Sequence, residues 1–216
     1  GLVNTPAPIF DAGLWGLFRQ SFDGFTILLV IGSLISVAVI VSCLIDIRAA
    51  RLLPKGVVQR VEDLAASGRW DDLRDLANRE DAFVTRVLRA ALPLAGRERQ
   101  AIREAAELAA AEESARWFRR VEVLGLIGNL GPLVGLAGTV WGMILAFTSL
   151  GASGGQAGPA DLSLGISKAL FHTLLGLCLA IPCLLAFGFF RAHVDRLCTR
   201  GIAIASRVIE RLPAKN

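Results

Sequence analysis

Gly131-Pro-Leu-Val-Gly-Leu-Ala-Gly-Thr-Val-Trp-Gly-Met143 lies inside a longer stretch, Val123 to Ala160, that carries no charged residue. A simple membrane anchor has no use for so much glycine. Gly128, Gly131, Gly135, Gly138 and Gly142 recur at spacings of three and four, which stacks them along one face of a helix. Small residues let a second helix approach closely enough for dense van der Waals contact, and this is how helices associate in lipid. Thr139 shares that face, one turn from both Gly135 and Gly142. The stretch therefore predicts a membrane helix that packs on partners and offers them a hydroxyl.

Composition supports a membrane class. Of 216 residues, 54% are hydrophobic and 19% charged, and the mean hydropathy is +0.56. A spanning helix needs about twenty mainly apolar residues. Three segments qualify: Gly24 to Ile45, Val123 to Leu150, and Ala169 to Phe190. Arg48, Arg51 and Lys55 follow the first, Arg116, Arg119 and Arg120 precede the second, and Arg191, Arg196 and Arg200 follow the third. Lys and Arg near span ends mark the inner side, so the N-terminus is expected outside and the Asp46–Glu122 region and the tail inside. The net charge of +4 belongs mostly to these inner margins. It fits attraction to an anionic inner leaflet and argues against nucleic-acid binding. Gly1 stands where an initiator methionine would, as after a cleaved signal peptide or trimming. The first apolar run lacks a basic lead-in and reads as a retained span.

The expectation is an all-α integral membrane protein with three transmembrane helices and a cytoplasmic helical bundle extending the second and third spans. Its segments are an outer amphipathic lead 1–23, a first span 24–45, an inner helical region 46–122, a second span 123–150, an outer loop 151–167, a third span 168–190 and an inner tail 191–216. In the inner region, Trp70, Leu73, Leu76 and Ala77 make one apolar stripe, and Phe83, Val84, Val87, Leu88 and Ala91 make another. Ser67-Gly68 and Pro93–Gly96 punctuate them. From Arg97 onward Ala, Glu and Arg dominate, favouring helix, so the second-span helix is expected to start near Glu98 and run unbroken into the bilayer, kinked at Pro132. Leu14, Phe18 and Phe22 form a stripe suited to a surface helix over Pro8–Phe22. Asp161 or Ser163 is expected to cap the third-span helix.

Catalytic, metal and cofactor chemistry find no support. Cys43, Cys178, Cys183 and Cys198 form no CxxC and read as small buried hydrophobes. His172 and His193 are about 30 Å apart along one helix, too far for an acid–base pair. The polar residues of the third span are Lys168, His172 and Thr173, followed by Gly176 and Pro182. Ionisable groups in a span usually face a bundle interior or a water-filled cavity. Lys168 either lines such a path or snorkels to the outer interface. His172 either shuttles protons or donates one hydrogen bond to a neighbouring helix. Thr139 and Thr173 either bond back to their own helices or line a narrow polar path.

Leu136-Ala-Gly-Thr-Val-Trp-Gly-Met-Ile144, Ile166-Ser-Lys-Ala-Leu-Phe-His-Thr-Leu-Leu-Gly-Leu177 and Ala180-Ile-Pro182 together resemble the MotA/TolQ/ExbB proton-channel family, its ExbB branch most of all. The likeness covers the three spans in order and the large inner region. It implies a homo-oligomeric ring, a pentamer, in a bacterial inner membrane, with spans two and three lining a central pore. It also implies a dimer of an ExbD-like single-span partner in that pore, and a TonB-like protein that receives the work of proton flow. Thr139 and Thr173 fall on the family's two pore threonines. Gly131, Pro132, Gly135, Gly138, Gly142, Gly176 and Pro182 would form the helix packing and pore wall. Lys168 stands where the family commonly has Glu before Ala-Leu, and His172 where a small residue is common.

Overall fold

A computed structural model describes residues 13, 15, 16, 18, 19, 21–152 and 158–215. These residues form helices α1 (Gly24–Asp46), α2 (Ala49–Leu52), α3 (Lys55–Ala66), α4 (Trp70–Arg79), α5 (Phe83–Ala91), α6 (Arg99–Ala152) and α7 (Pro159–Glu210), with a 3-10 turn at Leu92–Leu94. Among the described residues there is no strand, only an isolated parallel bridge between Glu98 and Lys215. Three helices are long and apolar enough to cross a membrane: Gly24–Asp46 and the helices that contain spans two and three.

The second-span helix is one 54-residue element from Arg99, continuous through Pro132. The third-span helix has 52 residues, continuous through Pro182. It begins at Pro159, inside the segment expected to be loop, because proline lacks only an N–H that the first helical turn cannot use. Neither Asp161 nor Ser163 therefore stands at its N-cap. At the other end the helix absorbs most of the expected tail, stopping at Glu210. The surface helix expected over Pro8–Phe22 and the loop Gly151–Pro159 lie largely outside the described residues. Gly13, Trp15, Gly16, Phe18 and Arg19 are helical where described, and the Phe18 ring meets Phe171 at 6.5 Å.

The chain divides into two compact units. In the first (1–38 and 123–186), Leu29 of α1 packs with Leu179 and Cys183 of α7, flanked by Ile127 and Val134 of α6. Large apolar residues elsewhere on these helices, Leu34, Leu133, Trp141 and Leu185 among them, are exposed, as lipid or a neighbouring subunit requires.

The second unit (39–122 and 187–216) has a conventional core. Every residue of the Phe83–Ala91 stripe is buried, as are Leu73, Leu76 and Ala77; Trp70 is half-buried. Gly68 and Gly96 adopt φ of +68° and +81°, the left-handed conformation that glycine reaches without a Cβ penalty, and so end α3 and turn the chain into α6. Arg86 of α5 donates to both Glu113 carboxylate oxygens at 2.9 and 2.8 Å, and Trp117 Nε1 donates to the same carboxylate at 3.0 Å. The C-terminal end is tied back by Gly96 N–H donating to Pro213 O at 2.7 Å and Lys215 N–H to Arg97 O at 2.9 Å. Cys43, Cys183 and Cys198 are buried and free, whereas Cys178 is free and exposed.

Candidate functional site

The glycine face of α6 is filled by α7 of the same chain. A Cβ at Gly131 would lie 3.1 Å from Gly176 O, at Gly135 2.7 Å from His172 O, at Gly138 2.8 Å from His172 Cγ, and at Gly142 2.9 Å from Ala169 Cβ. Gly176 reciprocates, since a Cβ there would stand 2.6 Å from Gly131 O. Backbone thus meets backbone at Gly131, Gly135 and Gly176, while the His172 side chain and Ala169 fill the space at Gly138 and Gly142, an approach only small residues permit. The glycines of this face are occupied by the contact between spans two and three. Pro132 is half-buried beside that contact and Pro182 is exposed.

Close approach brings the two threonines together. Thr139 Oγ1 and Thr173 Oγ1 form a direct hydrogen bond. The Thr139 hydroxyl also lies 2.9 Å from Ala169 O and 3.1 Å from Gly135 O, and Thr173 Oγ1 lies 3.4 Å from Gly135 O. Two protons must serve these acceptors, so the pair can exchange donors without moving heavy atoms. Both side chains are half-buried, which leaves the pair reachable from one side.

His172, one residue before Thr173, is only 3% exposed. Its ring fits over Gly138 and packs edge-on to Phe25, 6.2 Å between centroids. Nε2 lies 3.0 Å from Asp23 Oδ1. The same oxygen accepts the Thr26 N–H at 3.0 Å, an N-terminal cap that begins α1. Burial pushes the Asp23 carboxyl up, but the hydrogen bonds from Thr26 and His172 outweigh it and hold the group below the usual carboxylate range. An ionised carboxylate only accepts, so Nε2 carries the proton and Nδ1 is left as the acceptor nitrogen. Nδ1 and Ser21 Oγ are both buried with no partner among the described residues. A cavity of about 410 Å³ is lined by Ser21, Asp23, His172 and Lys168 on its polar side and by Trp141, Leu145 and Leu162 among its apolar residues. Lys168 is half-buried on that cavity and makes no ion pair among the described residues.

A model of the MotA/TolQ/ExbB proton channel family matches residues 76–201. The chain belongs to that family. It is 35% identical over 101 residues to the Tol-Pal system protein TolQ of Pseudomonas aeruginosa, covering 47% of this chain and 43% of that protein. It is 29% identical over 134 residues to a putative biopolymer transport protein ExbB homolog of Methanothermobacter thermautotrophicus, covering 62% and 47%. It is 26% identical over 196 residues to the biopolymer transport protein ExbB of Pseudomonas putida, covering 85% and 58%. The chain thus spans about half the length of these curated relatives. Among solved structures, that of C. jejuni MotAB shares the fold, with a TM-score of 0.56, 19% identity, and 90% of this chain and 80% of that one covered.

The four polar residues singled out from sequence all lie in this one region of the family fold. Thr139 pairs with Thr173, while His172 and Lys168 share the cavity. Asp23 and Ser21 escaped sequence reasoning. Asp23 reads as the hydrophilic boundary of the first apolar run, and only its position three residues before Thr26 hints at a cap.

Proposed function

We propose that this chain is the ring-forming stator subunit of a proton-driven motor in the bacterial inner membrane. In this reading it works with an ExbD-like single-span dimer and passes force to a TonB-like protein for outer-membrane transport. The observation that carries the proposal is the Thr139–Thr173 hydroxyl pair, held between two glycine-packed spans. A half-buried pair of exchangeable hydroxyls between two largely apolar spans suits proton passage to a titratable group on a guest helix. The Lys and Arg distribution supports a periplasmic N-terminus and a cytoplasmic C-terminus. A pentameric ring of such chains would give the guest helices their pore. The 35% identity to a TolQ favours a second reading within the same mechanism, a motor serving envelope integrity.

Thr139→Val and Thr173→Val test the proposal in vesicles that hold the chain and its ExbD-like partner. Each should sharply lower partner-dependent proton flux while assembly persists. Unchanged flux in both variants would leave a non-conducting membrane scaffold as the better account.

A further inference from the structure

Resting on the proton-path reading above, we propose that Asp23 and His172 form a proton-loading dyad at the entrance to that path, fed from the cavity beside Lys168. The lead-in to α1 and the first third of α7 are 149 residues apart in sequence, yet they place a carboxylate 3.0 Å from Nε2 of a buried imidazole. In this geometry the carboxylate fixes the tautomer and orientation of the ring and stabilises the imidazolium when it forms, the part a carboxylate plays behind a general-base histidine. Nδ1 is then the only basic nitrogen. It is buried, unpartnered among the described residues, and sits with the equally unpartnered Ser21 hydroxyl in residues that line one cavity. Two orphaned polar groups beside a space of about 410 Å³ fit a water that donates to Nδ1 and bonds Ser21, since buried polar groups seek such partners.

The step balances as a relay. A proton from the outer medium passes through the cavity water to Nδ1, which leaves the water neutral, Nε2 keeps its proton on Asp23, and the dyad changes from a net charge of −1 to zero. Releasing the Nδ1 proton toward the adjacent hydroxyl pair restores the starting state. Among the described residues, the other charge on the cavity is Lys168, one turn away on the same helix. It opposes a second positive charge, and Asp23 offsets that opposition. Span two adds no charge, because Val123–Ala160 contains none, and α1 contributes Phe25.

The chain has two histidines, so ¹⁵N-histidine labelling of the full chain in lipid nanodiscs gives two ring signatures, assigned with His193→Gln. The wild type should show a pure Nε2–H tautomer for His172 that becomes doubly protonated on acidification. Asp23→Asn should mix the tautomers. In vesicles with the ExbD-like partner, His172→Gln should lower flux by about a hundredfold, the lower end of what a positioned acid–base group contributes. An identical His172 signature in wild type and Asp23→Asn overturns the dyad, as does full flux in His172→Gln. The broader reading fails separately, by undiminished flux in the Thr139 and Thr173 variants.

Discussion

His172 occupies the space that a side chain at Gly138 would need: a Cβ there would lie 2.8 Å from the ring's Cγ and 2.9 Å from the histidine Cβ. The obstruction is the root of the side chain, which rotation cannot clear. Gly138→Ala should therefore push the ring off Asp23 or spread α6 from α7. Overpacking of this kind costs about 1–3 kcal/mol. Thermal unfolding in detergent should register the loss, and the His172 tautomer should become mixed. A variant with unchanged melting and an intact Nε2–H signature would contradict the packing described.

Glycine substitutions should divide by what they meet. A Cβ at Gly135 would strike backbone, 2.7 Å from His172 O and 3.1 Å from Thr173 Cα, so no side-chain motion relieves it. Gly135→Ala should destabilise at least as much as Gly138→Ala. Gly56, in α3, has nothing within 4 Å of its Cβ position and is exposed. Gly56→Ala should raise stability by about 0.5–1 kcal/mol, because alanine restricts the unfolded chain. Melting curves of the two single variants give the comparison directly, and a shift of the same sign in both would refute it.

The two helical stripes of the inner region were legible because burial there follows the 3.6-residue period without interference. Phe83, Val87 and Ala91 fall on one face, and water outside makes the contrast with polar neighbours sharp. The glycine ladder of α6 was legible as a close-packing surface for the same geometric reason. Its occupant was not. Spacing shows that some helix approaches, but lipid-facing and protein-facing positions are both apolar, so nothing in the pattern names α7 over a guest. Asp23 with His172 was hidden for a different reason: pairing across 149 residues depends on how α1 docks, and no local signal encodes that. The extra turns of α7 before Lys168 were missed because a Gly-Pro boundary reads as loop, although proline also starts helices.

Phe83 anchors the second unit against Gly201 of α7, where a Cβ would collide with the ring at Cδ1. Phe83 is 2% exposed. Phe83→Ala should cost about 3–5 kcal/mol by the lost transfer energy and the cavity left behind. Gly201→Val overfills the same place and should also destabilise. Combining them should cost less than the sum, because the truncated ring leaves room for valine. Strict additivity in melting experiments on the double variant would show that the two residues do not share this space.

The Arg86 guanidinium joins two carboxylates of very different exposure, and they should respond differently to neutralisation. Glu113, with its side chain 8% exposed, accepts from both Arg86 and Trp117; Asp81 is 68% exposed. Glu113→Gln removes charge-assisted bonds from a dry site and should cost about 2 kcal/mol. Asp81→Asn removes a solvated pair and should cost less than about 1 kcal/mol. The hydrogen bond from Arg86 holds the Asp81 carboxyl below its usual range. A folded value lower than the unfolded one stabilises above the unfolded value and is lost as pH falls through the folded one. The gap between wild type and Asp81→Asn should thus be full at neutral pH and close below about pH 4. Denaturant melts at pH 7 and pH 3.5 measure it; a gap that widens on acidification, or an Asp81→Asn loss exceeding that of Glu113→Gln, would reverse the assignment.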